Sequence, residues 1–485
     1  MTKVIQILGT GSGVGKSIIT AGLCRIFVQN GFKTAPFKAQ NMALNSFITK
    51  NGGEIGRAQA VQAQACKIEP TVDMNPILLK PTSDVGAQII LQGKAIGNMT
   101  AVEYTKYKKD AVKVVYESFN RLKQEYDVIV IEGAGSPAEI NLKQHDIVNM
   151  KMAEMADAPV ILVGDIDKGG VFAWLCGTLD LLEPHEQDRV KGMIINKFRG
   201  DKTLLMPGVD FLEQKTGKKV LGVVSYFKDI MIPEEDGLFE DNEVDSKNTS
   251  IKIEIIYLPH ISNFTDFDVL RQDSDVSVKF LRNGEKISKD CDVIIIPGSK
   301  NTIFDFQFLK NKGYVEQLEQ LKAEGKEIIG ICGGFQMLGK KILDPFQIES
   351  DAEEIKGLGF LNIISTLEKE KVTSQVTAKD LSFNTQVNAY EIHHGKTEVL
   401  DELEPMFRIG DKDDGVRQDN VWGTYLHGVF DNHEFRNEFL NKIRKNKGLR
   451  YLESKRFDQD KEFDKLAQAL KEELDMDYLY SILNM

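Results

Sequence analysis

Short, unbroken runs of apolar and largely β-branched residues recur along the first half of the chain, separated by longer stretches of helical character. Such runs are typical of parallel strands that are buried on both faces. Gly, Asp or Asn follows near the end of the runs, where ligands usually bind in sheets of this kind. The pattern predicts an α/β domain with a parallel sheet whose strands include residues 4–8, 128–131, 160–163 and 193–195.

A second α/β series begins after a polar, acidic stretch. Residues 234–250 have almost no apolar periodicity, which is typical of an interdomain linker. Beyond about residue 432 the chain is charged and helix-prone. Strand-like runs lie at 251–258, 293–296, 328–331 and 421–426. We therefore expect a first domain at 1–233, a linker at 234–250, a second domain at 251–434 and a helical tail at 435–485.

Composition narrows the class of protein. A chain of 485 residues is too long for one hydrophobic core, which agrees with two domains. The net charge of −12 argues against a general nucleic-acid-binding protein, and no apolar run approaches the roughly 20 residues of a membrane span. Five scattered cysteines without a Cys-x-x-Cys pair argue against a disulfide framework or a zinc site and favour a reducing compartment. With no signal peptide before the first strand, we expect a cytoplasmic protein.

The first strand enters a glycine-rich loop. Residues 9–17 have the sequence GTGSGVGKS and open a predicted helix, which is the context that a P-loop requires. The loop is a variant, because Thr10 stands where the strict pattern has glycine. Lys16 would neutralise the outer phosphates of ATP, and the Ser17 hydroxyl is placed to bind Mg²⁺. The alternative is a structural glycine turn. The predicted ATP-binding residues are Gly11, Ser12, Gly13, Val14, Gly15, Lys16 and Ser17.

Polar residues at two later strand ends extend this site. Glu132 ends the run at 128–131 and is a second candidate Mg²⁺ ligand, with a helix cap or solvated strand end as the alternative. Asn196 follows the run at 193–195 and is a candidate for hydrogen bonding to the purine of ATP, although asparagine is also a common turn residue.

The second half carries a candidate nucleophile. Cys332 lies in Gly-Ile-Cys-Gly-Gly, residues 330–334, between a β-branched strand and a predicted helix, an arrangement that places a nucleophile on a sharp turn. The helix dipole favours a thiolate there, and the flanking glycines allow close approach of substrate. His427, at the end of another apolar stretch, is the candidate base. The alternatives are a buried structural thiol and a core histidine.

Several segments near the P-loop are rich in amide side chains and poor in charge. They lie at residues 36–46, 53–65 and 74–82. Amide groups bind both carboxylates and carboxamides, which suits a substrate with many acid groups, but turn formation and helix packing are equally compatible with this composition.

These segments, the variant P-loop and the motif Thr-Tyr-Leu-His-Gly at 424–428 closely resemble the cobyric acid synthase family, the glutamine-dependent amidotransferases of cobalamin biosynthesis. The resemblance covers nearly the whole chain. It implies a P-loop domain similar to dethiobiotin synthetase, followed by an α/β domain similar to class I glutamine amidotransferases.

The resemblance also implies a reaction. Such enzymes amidate the b, d, e and g carboxylates of adenosylcobyrinic acid a,c-diamide, with ATP and Mg²⁺ to activate each carboxylate and glutamine as the source of ammonia. Cys332 would form a γ-glutamyl thioester and His427 would move the protons, with Gly298 and Gly333 near the oxyanion. No bound prosthetic group is implied. The candidate corrinoid-binding residues are Lys38, Gln40, Asn41, Arg57 and Lys80.

One position departs from the class I pattern. Those enzymes place Glu two residues after the histidine to orient it, and this chain has Val429 there. Asp431 is close in sequence, but its direction is not given by the sequence. Two other functions fit parts of the chain. A cobyrinic acid a,c-diamide synthase would share both domains, whereas a P-loop switch protein would leave Cys332 and His427 without a role.

Overall fold

The computed structural model describes residues 2–83, 86–227, 230–232, 249–350 and 352–485. The chain forms two compact units, one comprising 1–43, 53–238 and 458–485 and the other 44–52 and 239–457. The predicted linker at 234–250 lies outside the described residues except at 249 and 250. The helix-prone tail is shared between the two units, because its last two helices belong to the first unit and the part before residue 458 belongs to the second. Among the described helices, none has both the length and the apolar character of a membrane span.

The first unit is built on a parallel sheet of six strands, which confirms the predicted fold class. The four predicted runs form its centre, and their side chains are almost entirely buried. This places the P-loop strand between two neighbours whose polar ends, Glu132 and Asp165, lie at the same edge. The strand order is Lys219–Ser225, Val190–Phe198, Val160–Asp165, Lys3–Gly9, Val128–Glu132 and Thr34–Phe37.

Helices and a smaller sheet complete this unit. A four-stranded sheet, in the order Gln40–Met42, Ile77–Ser83, Gly86–Leu91 and Lys94–Thr100, follows the strand at Thr34–Phe37. A further short strand is Glu54–Gly56. The α-helices are Lys16–Gln29, Arg57–Ala65, Ala101–Glu125, Met150–Ala156, Val171–Asp180, Pro184–Arg189, Met206–Thr216, Gln459–Glu473 and Met476–Leu483; 3₁₀ turns lie at Val72–Met74, Lys143–His145 and Lys202–Leu204.

The C-terminal helices are part of the core of the first unit. Leu466 and Leu470 are fully buried against the P-loop helix, and a side chain at Gly22 would collide with Leu470. Arg25, also fully buried, donates hydrogen bonds to Asp460 and Asp464, 2.7 Å each. The sequence predicted helices here but not this role.

The described residues of the second unit form a sheet of eleven strands. Its parallel part, in the order Val276–Leu281, Ile251–Ile256, Val293–Ile296, Glu327–Ile331 and Val421–Thr424, contains the four predicted runs. It continues through Lys412–Gln418, Glu404–Ile409, Ile363–Asp380, Lys341–Leu343 and Glu354–Lys356, and Gln386–Val399 pairs with Ile363–Asp380 in a long antiparallel hairpin. The α-helices are Thr302–Asn311, Tyr314–Ala323, Gly333–Leu338 and His433–Asn446, with 3₁₀ turns at Phe264–Gln272 and Val429–Asp431.

Two short pairings position loops at the carboxyl edge of this sheet. Ile261–Ser262 pairs with Gly298–Ser299 in an antiparallel ladder, which holds the turn that begins at Phe264 close to the strand ends. The strand Ser46–Ile48 contacts the long hairpin, and Ile48 packs against Tyr390 and Ile392.

Candidate active sites

The P-loop has the geometry that its glycines permit. Gly13 and Gly15 have φ of 70° and 96°, a left-handed conformation that side chains disfavour. The helix begins at Lys16. The Lys16 ammonium donates to the carbonyl oxygens of Gly11 at 2.7 Å and Gly135 at 3.2 Å, so it lies over the loop where phosphates bind in such folds.

Glu132 is the centre of a buried polar cluster beside the P-loop. The Ser17 hydroxyl donates to its Oε1 at 2.9 Å and the Lys38 ammonium donates to the same oxygen at 3.0 Å, while Gln62 donates to Oε2. Burial alone would raise the pKa of Glu132, but the Lys38 charge and these hydrogen bonds outweigh it and hold the pKa below its ordinary value. The carboxyl is therefore ionised and fully engaged.

The Ser17 and Glu132 oxygens fit the requirements of a magnesium ion. Both are hard oxygen donors, and their separation of 2.9 Å matches adjacent ligands in an octahedral shell with metal–oxygen distances of about 2.0–2.1 Å. Within the described part of the chain, no cluster of three or more His, Cys, Asp or Glu side chains is arranged to hold a metal.

The Asn196 side chain contacts the backbone of the P-loop. Its amide nitrogen donates to the Val14 carbonyl oxygen at 2.9 Å, and a side chain at Gly15 would collide with it. The next residue, Lys197, donates to the Gly13 carbonyl oxygen at 2.6 Å and contacts Asp165 at 3.3 Å. Contact between Asn196 and a purine stays a prediction. Lys197 was missed, because a lysine after a strand carries no distinctive pattern.

A cleft of about 870 Å³ opens beside the P-loop. Of the predicted corrinoid-binding residues, Lys38, Gln40 and Asn41 line it together with Lys16, whereas Arg57 and Lys80 do not. Lys80 instead forms a buried ion pair with Glu54 at 2.8 Å. The ionisable lining has an excess of basic groups. These are Lys16, Lys38, Lys108, Lys109, Lys143, Lys151 and Arg189, against Glu139, Asp146, Glu154, Glu183 and Glu186.

A second cleft, of about 400 Å³, also borders the P-loop. Thr10, Gly11 and Ser12 form one part of its wall, and Trp174 and Leu181 form another. The P-loop therefore borders two clefts, one with several charged side chains in its lining and one with the exposed ring of Trp174.

In the second unit, Cys332 occupies a strained turn. It has φ of 52° and ψ of −107°, an unfavourable conformation for a residue with a side chain, directly after the strand Glu327–Ile331. The following glycines are required sterically, since a side chain at Gly334 would meet the Ile296 carbonyl oxygen at 1.9 Å. The thiol is buried and lies 3.7 Å from the Ile392 carbonyl oxygen. This is the geometry of a nucleophile elbow.

His427 lies beside this turn because its strand is the neighbour of the cysteine strand, with Ile331 paired to Thr424. The imidazole is buried, and its Nδ1 lies 2.5 Å from a carboxylate oxygen of Asp266. Burial lowers the pKa of His427, but the Asp266 charge and hydrogen bond, helped by Cys332, raise it to about 10. The Nε2 atom has no partner of hydrogen-bond geometry among the described residues.

Tyr390 contacts both His427 and Asp266. Its ring stacks on the imidazole with centroids 5.1 Å apart, and its hydroxyl donates to Asp266 at 3.2 Å. Its backbone exchanges two hydrogen bonds with His427, of 2.9 and 3.2 Å. The sequence did not predict this contact, because Tyr390 and Asp266 lie 124 positions apart.

The two glycines predicted near the oxyanion are both at the site. A side chain at Gly298 would meet Cε1 of His427 at 3.2 Å, and one at Gly333 would meet the Ser299 backbone nitrogen at 3.0 Å. The turn after the strand Val293–Ile296 therefore lies directly against the elbow. Their binding of the oxyanion or of glutamine stays a prediction.

Glu349 is a partly buried carboxyl in this unit that the sequence did not indicate. It accepts a hydrogen bond of 2.6 Å from the Thr302 backbone N–H, at the start of the helix Thr302–Asn311. Burial raises its pKa to about 7 despite the nearby Lys300. The helix thus has a capping carboxyl that can exchange a proton near neutral pH.

Comparisons with known proteins cover both units. Residues 5–239 match the CobQ/CobB/MinD/ParA nucleotide binding domain, and residues 252–435 match the CobB/CobQ-like glutamine amidotransferase domain. A protein named cobyric acid synthase from Clostridium botulinum is 51% identical over 99% of each chain. One of the same name from Dehalococcoides mccartyi is 48% identical over 100% of this chain and 99% of its own.

Solved structures give a weaker likeness. PurLQS from Thermotoga maritima is 16% identical and covers 40% of this chain and 99% of its own, with a TM-score of 0.32. A likeness at this level adds nothing to the assignment.

Proposed function

The chain belongs to the cobyric acid synthase family, and from that premise we propose that it amidates the b, d, e and g carboxylates of adenosylcobyrinic acid a,c-diamide. ATP- and glutamine-dependent amidation is the chemistry of the family. The observation that carries the proposal is the pairing of Cys332 with His427 in a chain that also has a P-loop. One site releases ammonia, and the other activates the carboxylate that receives it.

In the glutaminase site, the Cys332 sulfur attacks the side-chain amide carbon of glutamine. The thiol proton passes to Nε2 of His427 and then to the leaving nitrogen as the C–N bond breaks, which releases ammonia. Water attacks the thioester, His427 accepts its proton, and cleavage of the C–S bond regenerates the thiol and yields glutamate. We assign the Gly333 N–H and the turn at Gly298 to the oxyanion.

In the synthetase site, a substrate carboxylate oxygen attacks the γ-phosphorus of ATP and forms an acyl phosphate, while the bond from the γ-phosphorus to the bridging oxygen breaks and ADP leaves. Lys16 is placed to stabilise the charge on the transferring phosphoryl group. Ser17 and Glu132 would hold Mg²⁺, which supplies charge neutralisation on the phosphates when bound. Ammonia then attacks the acyl carbon, and phosphate leaves with the bonding electrons.

We place the acid groups of the corrinoid in the large cleft beside Lys16. Lys38, Gln40 and Asn41 line it, and the ammonium groups of Lys108 and Lys109 in the same lining suit a substrate with several carboxylates. Lys38 neutralises Glu132 in the structure, so its role toward substrate is indirect. Arg57 and Lys80 stand outside this cleft, and we do not assign them to it. A reduced thiol at Cys332 suits a cytoplasmic enzyme.

Mass spectrometry tests the proposed reaction. The protein is incubated with adenosylcobyrinic acid a,c-diamide, ATP, Mg²⁺ and glutamine, and with cobyrinic acid as a parallel acceptor. Each exchange of OH for NH₂ lowers the mass by about 1 Da. Four successive losses from the diamide are expected. Two losses from cobyrinic acid and none from the diamide would instead identify an a,c-diamide synthase.

A further inference from the structure

The orienting glutamate of class I glutaminases is missing two residues after the histidine, where buried Val429 stands. A carboxylate nevertheless reaches the imidazole from another part of the unit. Asp266, on the turn Phe264–Gln272, lies 161 positions earlier in the chain and contacts Nδ1 of His427 at 2.5 Å. Both side chains are almost fully buried, at 1% and 7% exposure, so solvent does not weaken the contact.

We propose that Asp266 is the positioning residue that orients His427 for proton transfer with Cys332, and that Tyr390 positions both of them. This inference rests on the proposed glutaminase activity. A carboxylate that accepts the Nδ1 hydrogen holds the ring in one orientation and stabilises the imidazolium, in agreement with the raised pKa of His427. Nε2 carries the proton taken from the thiol and donates it to the leaving nitrogen.

The role of Tyr390 follows from its three kinds of contact. The stacked ring sets the plane of the imidazole, the two backbone hydrogen bonds fix the position of the His427 main chain, and the hydroxyl donates to the second oxygen of Asp266. The same strand supplies the Ile392 carbonyl oxygen near the Cys332 sulfur. One strand therefore contacts every member of the proposed triad.

Asp431 is the competing candidate, because it lies only four residues after His427. In the structure, Nδ1 of His427 contacts Asp266. The backbone N–H of Asp431 instead donates to the Gly428 carbonyl oxygen at 3.1 Å, in the turn that follows the histidine. Asp431→Asn is therefore the matched control for Asp266→Asn, since each change replaces one carboxylate near the same histidine by an isosteric amide.

The test compares glutamine-dependent with ammonia-dependent amidation in full-length variants. Asp266→Asn is expected to lower kcat with glutamine by at least about 100-fold, the lower end of what general acid–base catalysis contributes, while KM for glutamine changes by less than about threefold. Ammonia-dependent synthesis should stay within about twofold of wild type, because the synthetase site is untouched. Asp266→Glu should restore part of kcat. Tyr390→Phe should lower kcat by about fivefold, the effect of one hydrogen bond.

Three results would overturn the inference. The first is a glutamine-dependent kcat near wild type in Asp266→Asn. The second is a loss of glutamine-dependent kcat in Asp431→Asn equal to that in Asp266→Asn. The third is a loss of kcat/KM in Asp266→Asn that comes entirely from a raised KM for glutamine. If Asp266→Asn fails to fold, Tyr390→Phe is the deciding variant. An unchanged kcat in Tyr390→Phe would show that the Tyr390 hydroxyl does not position His427 through Asp266. A wild-type protein inactive with both nitrogen sources would contradict the proposed function itself, a result distinct from these three.

Discussion

The Ser17 hydroxyl, in the first turn of the helix Lys16–Gln29, donates a hydrogen bond of 2.9 Å to a carboxylate oxygen of Glu132, the last residue of the strand Val128–Glu132. This contact joins the residue after the P-loop lysine to the only strand-end carboxylate that the sequence marked as a magnesium ligand. It gives the synthetase site a pair of oxygens whose loss should affect one half of the reaction only.

Glu132→Gln is expected to abolish amidation with glutamine and with ammonia, because the activation of the carboxylate fails. Hydrolysis of glutamine by Cys332 should persist. Product formation by mass spectrometry and glutamate release measure the two halves separately. Amidation at the wild-type rate in Glu132→Gln, at limiting Mg²⁺, would show that this carboxylate does not serve the metal.

Lys38→Met should destabilise the first unit, because it leaves Glu132 charged and buried without its partner. Removal of one member of a buried ion pair typically costs about 3–5 kcal/mol. The double variant Lys38→Met, Glu132→Gln should recover much of this loss without recovering activity. Urea unfolding of the four proteins in a double-mutant cycle gives the coupling energy. Additive effects would mean that the 3.0 Å contact between the side chains contributes nothing.

The C-terminal helices are expected to be required for the stability of the P-loop unit. Leu470→Ala, which removes a fully buried side chain next to Gly22, should cost about 2–5 kcal/mol in unfolding free energy. Leu204→Ala is the matched control, because Leu204 is 82% exposed in the same unit and its loss should cost less than about 0.5 kcal/mol. Equal effects would show that the tail does not belong to this core.

The raised pKa of His427 predicts how stability depends on pH. A histidine whose pKa rises from 6.5 to about 10 on folding stabilises the folded state fully below the lower value. That stabilisation is lost as the pH rises through the higher value. The difference in Tm between wild type and Asp266→Asn should therefore be largest near pH 6.5 and shrink toward pH 10. A difference that is constant or grows with pH would contradict the ion pair.

Local patterns were sufficient to predict the framework of both sites. Apolar runs such as 128–131 and 328–331 are strands in the structure, and the α/β class, the family and the glutamine-dependent chemistry are confirmed. The elbow at Cys332 was recognisable because a cluster of glycines around one residue, here Gly330, Gly333 and Gly334, is needed only where backbones meet closely.

Contacts between distant parts of the chain could not be predicted in this way. Asp266 contacts His427 across 161 positions, and an aspartate between Thr265 and Phe267 belongs to no motif. Lys80 was a candidate for a substrate carboxylate, but the structure pairs it with Glu54. Composition shows that a lysine is present, and only the fold determines which anion it meets.

The division of labour between the two units is tested most directly by Cys332→Ala, assayed for amidation with glutamine and with a high concentration of ammonia. We predict that synthesis with glutamine is abolished and synthesis with ammonia is retained, because the synthetase site needs only free ammonia. Lys16→Ala, the matched variant of the other site, should abolish both. Loss of the ammonia-dependent reaction in folded Cys332→Ala, or retention of the glutamine-dependent reaction, would contradict this division of labour.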